Sequence, residues 1–135
     1  MTAGYSGTPL AKKLNLRDGQ RVWFHAMPEN VIDEIDEYAL ELEFVADPSE
    51  GIDAAHIFVT DAPDLEARLT TLKGQIAKDG QIWVSWPKKG SGHETELDQA
   101  EVQRIGLACG LVDTKKCAVD DIWSGLKFVI PKADR

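Results

Sequence analysis

The amino-acid sequence predicts an α/β fold with a mostly parallel sheet of about six strands, and three observations carry that expectation. Short apolar runs at 21–26, 42–46, 56–60 and 81–86 alternate with stretches whose apolar residues recur at helical spacing. The last two apolar runs, 111–119 and 126–130, lie too close together for a helical crossover, so they close the sheet as an antiparallel hairpin. The chain is 135 residues long, 43% hydrophobic and 28% charged, which suits one globular domain over 1–135 with a single core.

Taken in order, Thr8 and Pro9 read as a helix cap and first helical position, with Leu10 and Leu14 on one face. This helical lead-in occupies 1–18. The turn Arg17-Asp18-Gly19-Gln20 launches the first strand, and Pro28 then opens a helix. Val31, Ile32, Ile35 and Ala39 form its inward stripe, while Asp33, Glu34, Asp36 and Glu37 mark the wet face. The second strand at 42–46 and a turn at 48–51 follow, then a third strand at 56–60 that is apolar like one covered on both faces. After Asp61 and Pro63, the spacing of Leu65, Leu69, Leu72 and Ile76 predicts a helix closed by Asp79 and Gly80. The fourth strand, 81–86, leads into a glycine- and lysine-rich loop at 87–93. Asp98 and Glu101 then cap a last helix that ends at Gly110. The result is a Rossmann-like three-layer sandwich, its sheet covered on both sides.

Composition excludes several classes of function. A net charge of −8 opposes a polyanionic partner, so nucleic acid is not expected. The apolar runs fall far short of a membrane span and 1–10 does not read as a signal sequence, so a cytoplasmic location and no membrane association are expected. Cys109 and Cys117 read as small buried apolar residues. His25, His56 and His93 show no ligand spacing, so no metal is expected. Lysines nevertheless cluster at 12–13, 88–89 and 115–116, leaving room for a locally positive pocket that takes a small anionic ligand.

A short helix, an Asp-Gly turn into the first strand, a parallel sheet and a terminal hairpin resemble the architecture of class I S-adenosylmethionine-dependent methyltransferases. The likeness is closest over 57–87 and 111–130. Four phrases are more specific: Tyr-Ser-Gly-Thr-Pro-Leu-Ala-Lys-Lys-Leu at 5–14, Trp-Pro-Lys-Lys-Gly-Ser-Gly at 86–92, Gly-Leu-Val-Asp at 110–113 and Trp-Ser-Gly-Leu-Lys-Phe at 123–128. These resemble a small bacterial family catalogued as domain of unknown function 3052. That resemblance implies a fold and a kinship, and it supplies no chemistry.

In an open α/β sheet, ligands bind beyond the carboxyl ends of the strands, and glycines after the first strand let backbone N–H groups approach them. Here that loop, 25–30, contains no glycine; Pro28 has no N–H, and Glu29 places negative charge at the helix N-terminus. The G-x-G pattern of the methyltransferases is therefore missing, and S-adenosylmethionine is not the expected cofactor. Asp47, after the second strand, stands where a ribose-binding carboxylate would be, although a turn residue before Pro48 explains it as well.

The loop after the fourth strand is the more suggestive place. Lys88, Lys89 and Ser91 between flexible glycines suit a carboxylate or phosphate, and Trp86, Trp123, Ser124 and Lys127 would join them if the hairpin packs alongside. An exposed basic loop and core tryptophans are the plainer alternative. His25 and His93 end the first and fourth strands and would face one cleft as acid or base, yet no nucleophile partner is recognisable. These residues predict a non-catalytic ligand-binding or regulatory domain. A divergent methyltransferase or other enzyme acting on an anionic substrate is the alternative, and a homodimer or protein-interaction module a third.

Overall fold

In a computed structural model of the chain, residues 8–135 are described. The first part of the expected lead-in, with Tyr5 to Gly7 of the first phrase, lies outside the described residues. Six strands form one sheet: β1 (Arg21–His25), β2 (Glu43–Phe44), β3 (Ile52–Phe58), β4 (Ile76–Pro87), β5 (Val112–Ala118) and β6 (Trp123–Val129). Their order across the sheet is β2-β1-β3-β4-β6-β5. β2, β1, β3 and β4 are mutually parallel, and β6 runs antiparallel to both β4 and β5. The α/β class, the mostly parallel sheet and the terminal hairpin are thus as the sequence predicts.

Four helices cover the faces. On one side α1 (Leu10–Lys13) and α2 (Glu29–Asp36) pack Leu10, Leu14, Val31 and Ile35 against Val22, Ala54, Phe58 and Trp83. On the other, α3 (Ala62–Lys73) and α4 (Gln99–Ala108) pack Leu65, Leu69, Leu72, Val102 and Ile105 against Ile57, Ile82, Val84 and Phe128. Alternation along each strand divides its residues between these two layers. α4 lies so close to the sheet that a Cβ on Gly106 would come within 2.1 Å of Cε1 of Phe128.

The layer beneath α1 contains polar groups, and each has a partner. The carbonyl of Leu14, at the end of α1, accepts hydrogen bonds from Gln81 Nε2 at 2.8 Å and Trp83 Nε1 at 2.9 Å. His56 is fully enclosed, with Nε2 2.7 Å from Ser85 Oγ and its ring stacked on Phe58. Burial pushes its pKa down to about 3, so the ring is neutral and its bond to Ser85 joins two uncharged groups.

The elements depart from expectation where a local pattern pointed two ways. α3 stops at Lys73, and Ile76, expected as the last residue of its apolar stripe, instead begins β4. Asp79 and Gly80, expected to close that helix, lie within the strand. There the pairing with β3 jumps from Ile52–Ile76 to Ala54–Gln81, the signature of a bulge. A Cβ on Gly80 would lie 2.6 Å from the Asp53 carbonyl, which accounts for glycine there. β3 begins at Ile52 and not at His56, because small residues at 54 and 55 extend the buried run. Pro9 occupies the cap of α1 in place of Thr8, and Ala39 lies beyond α2, exposed with φ +55°.

Nor is the sheet wholly covered. β2 pairs through two residues only, both exposed, and Trp23 and Val45 are half-buried on the α3 side.

Candidate functional site

β2 lies to one side of β1 and β3 to the other, so the order of connection reverses between β1 and β3. The crevice at their carboxyl ends is the topological switch point where open α/β sheets bind ligands. Its walls are the chain after β1, the start of α3, the loop 88–98 after β4 and the turn 119–122 between β5 and β6.

Hydrogen bonds from the chain's own polar groups link several of these walls. Asp120, buried in the β5–β6 turn, accepts the backbone N–H groups of Ile122 and Trp123 on Oδ1 and the Asn30 amide on Oδ2. The ammonium of Lys88 donates to the Asp120 carbonyl at 2.7 Å, while the Lys88 N–H donates to the Ile122 carbonyl. Between the chain after β3 and the loop after β4, Thr95 Oγ1 donates to the Thr60 carbonyl at 2.6 Å, and Glu96 accepts the Ala62 N–H at 2.9 Å. Asp61 caps α3 by accepting the N–H of Asp64, as its position in the sequence predicts. Two carboxylates therefore occupy the N-terminus of α3, and an incoming anion would have to displace them.

The residues that sequence reasoning groups into one ligand cleft are divided by the pleat. Trp86 pairs with Ser124 on the α3–α4 face, and Trp86 is buried in that core. Trp123 pairs with Pro87 on the opposite face and meets Phe58 edge-on at 5.0 Å. Lys88 and Lys89 line a shallow cavity of about 500 Å³ with His93, Glu94, Glu96 and Asp98, so three carboxylates share it with the two lysines. The Ser91 hydroxyl is buried and lacks a hydrogen-bond partner among the described residues. Lys127 leaves this group altogether. It pairs with Trp83 and points toward the amino-terminal half of the sheet, where its ammonium donates to Asn15 Oδ1 at 3.1 Å. A period of two along β6 sends 123 and 127 to one face and 124 to the other, so no packing of the hairpin unites the set.

The two histidines also separate. His25 stacks on Trp23 at 5.8 Å and faces α3, where burial and then the Arg68 guanidinium lower its pKa, with Asp64 opposing. His93 tilts over Trp123 at 6.0 Å on the other side. They do not share a cleft. Asp47 caps the short 3-10 turn Pro48–Glu50: its own N–H donates to Glu50, Oδ1 accepts the Ser49 N–H, and the hydrogen bonds from Ser49 lower its pKa. Its carboxylate also borders a groove of about 470 Å³ with Trp23, Asp64 and Arg68. Cys117 is buried as expected, and Cys109, at the end of α4, is half-exposed.

Sequence reasoning passes over two features. One is the His56–Ser85 pair, which only the β3–β4 register brings together. The other is Ala26, which turns after β1 at φ +54°. That is the left-handed conformation glycine adopts without penalty, so the backbone of a glycine turn is present with no glycine in it.

Among the described residues, no helix is long and apolar enough to cross a membrane, and no group of His, Cys, Asp or Glu is arranged to hold a metal ion.

Comparison with solved structures defines the fold as that of the class I S-adenosylmethionine-dependent methyltransferases. A TehB-like S-adenosylmethionine-dependent methyltransferase from Corynebacterium glutamicum is similar over 96% of this chain and 91% of its own, at 12% identity and a TM-score of 0.56. Magnesium protoporphyrin IX methyltransferase from Synechocystis, solved with bound S-adenosylmethionine, is similar over 90% of this chain and 74% of its own, at 11% identity and a TM-score of 0.56. The Methanococcus jannaschii fibrillarin pre-rRNA processing protein matches 91% of this chain and 69% of its own, at 10% identity and a TM-score of 0.51. At such identities the likeness is one of fold alone. The chain itself belongs to the family described as protein of unknown function (DUF3052), whose model matches residues 11–132. No curated protein matches it.

Proposed function

We propose that this chain is a non-catalytic ligand-binding or regulatory domain on a methyltransferase-like fold, with its ancestral cofactor crevice occupied from within. One observation carries the reading. Asp120, Asn30 and Lys88 tie the first turn of α2, the chain after β4 and the β5–β6 turn together at the carboxyl edge of the sheet. A cofactor entering there would have to break hydrogen bonds to a buried carboxylate and leave its partners unpaired, at about 1–3 kcal/mol for each group so exposed. The glycine-free loop after β1 and the carboxylates at the start of α3 support the same reading. The partner it calls for is a small anionic ligand, in the cytoplasm.

The likeness of fold to methyltransferases favours one rival, a divergent S-adenosylmethionine-dependent enzyme. Titration calorimetry with S-adenosylmethionine and S-adenosylhomocysteine separates the two. No heat at millimolar concentration is the expected result, and saturable binding in the micromolar range would overturn the proposal in favour of the enzyme.

A further inference from the structure

On the amino-terminal side of the sheet, beneath the end of α1, lies a cavity of about 740 Å³. Lys12 in α1, Arg17 in the turn that follows it and Lys127 in β6 line it, with Asn15 and Tyr38. Lys115, next to Lys127 across the β5–β6 pairing, adds to the positive potential there. In a chain with eight more negative than positive charges, cations normally find carboxylates. Here the salt bridges among the described residues are Arg21–Glu43, Arg68–Asp64 and Arg104–Glu101, and none involves these four.

Lys127 is the telling member. Its ammonium is partly withdrawn from water, its hydrogen-bond partner is the neutral Asn15 amide oxygen, and burial, Lys115 and Arg17 all push its pKa down. A half-buried ammonium flanked by like charges is unfavourable alone and becomes favourable when an anion binds. Two carboxylates also border the cavity. Asp18 accepts the Glu41 N–H on Oδ1, and Asp79 offers an acceptor for a hydroxyl or amino group on a ligand.

We propose that this cavity, and not the carboxyl edge, binds a small ligand with a compact dianionic head, a phosphate or a polycarboxylate, held by Lys127, Arg17 and Lys12. The proposal rests on the ligand-binding reading above and moves its site to the opposite edge of the sheet.

The test is a ¹⁵N-resolved NMR titration of the full chain with pyrophosphate, with citrate and, at matched ionic strength, with sodium chloride. Saturable shifts at Leu16, Arg17, Gly80, Gln81 and Lys127 with pyrophosphate or citrate, and not with chloride, support the proposal. The anion that binds more tightly names the head group. Lys127→Met and, at an exposed position, Lys12→Gln should each weaken binding about tenfold, the loss of one charge-assisted hydrogen bond. The Lys12 variant serves if the Lys127 variant does not fold. Lys89→Gln should leave affinity unchanged. Equal shifts with chloride, or no saturation with either anion, overturn the site. Shifts confined to 88–91 overturn it too, while leaving the ligand-binding reading in place. Binding of S-adenosylmethionine would sink that reading and leave the amino-edge result to be judged by these shifts.

Discussion

His56 makes the stability of this protein depend on pH in a way that can be isolated. In the folded chain its pKa is lowered from 6.5 to about 3 by burial alone. Between those values the unfolded chain binds a proton that the folded chain refuses, so stability falls as pH falls. It is fully present above pH 6.5 and lost progressively down to about pH 3. Each pH unit in that window removes about 1.4 kcal/mol, or about 2 kcal/mol by pH 5. Carboxylates titrate over part of the same range, and they do not all act in one direction: hydrogen bonds lower the pKa of Asp47, whereas burial and then Glu37 raise that of Glu34. A variant cancels them. His56→Gln keeps a polar group within reach of Ser85 and cannot titrate, so the gap between its urea-unfolding free energy and that of the wild type should close by about 2 kcal/mol from pH 7.5 to pH 5. Parallel pH profiles for the two proteins would refute the reasoning and mean that His56 takes up a proton without unfolding.

Three other outcomes follow from the packing. Gly106→Ala gains about 1 kcal/mol of helix propensity, but its methyl group would overlap the fully buried Phe128 ring. Overpacking should make it less stable by about 1–3 kcal/mol, and a raised Tm would contradict this. Asp120→Ala strips the acceptor from two backbone N–H groups and the Asn30 amide, so a loss of about 2–4 kcal/mol is expected, with a shift in Trp123 emission as its turn loosens. Unchanged stability would show that the three loops are not held by this carboxylate. Ala26→Gly should raise stability by about 0.5 kcal/mol, since relief of the left-handed conformation outweighs the flexibility gained by the unfolded chain. A loss in denaturant unfolding would count against strain at that turn.

Strands and helices with one strong period were legible in the sequence: α3 from Leu65, Leu69 and Leu72, and the hairpin from the shortness of its connection. Errors arose where two periods fit the same residue. Ile76 continues the i,i+4 stripe of α3, and that stripe masks the local stop signal of Lys73 in the last turn and Gly74 at the cap. Asp79-Gly80 reads as a turn, and only the register of the β3–β4 pairing shows that it is a bulge. The candidate site fared differently. That the loop after β4 is rich in glycine and lysine was visible, but Lys88 is held by a carbonyl 32 residues away. The amino-edge cluster was invisible for the same reason. Lys12, Arg17 and Lys127 converge only through the pairing of β6 with β4 and the docking of α1, neither of which leaves a local mark.

The carbonyl of Leu14 has a bearing on how the chain assembles. Its two buried donors lie 67 and 69 residues further along, on the central strand. During synthesis α1 precedes β4, and the Leu14 carbonyl stays bonded to water until β4 has emerged and paired. Four residues do not hold a helix in water by themselves. α1 should therefore be the last of the described elements to order and the first to fray, showing weak amide-exchange protection at 10–14 although Leu10, Ala11 and Leu14 are buried. A shortened chain starting after Leu14 would leave Gln81 and Trp83 without their acceptor in the middle of the sheet. What looks like a terminal appendage is the closing piece of the interior.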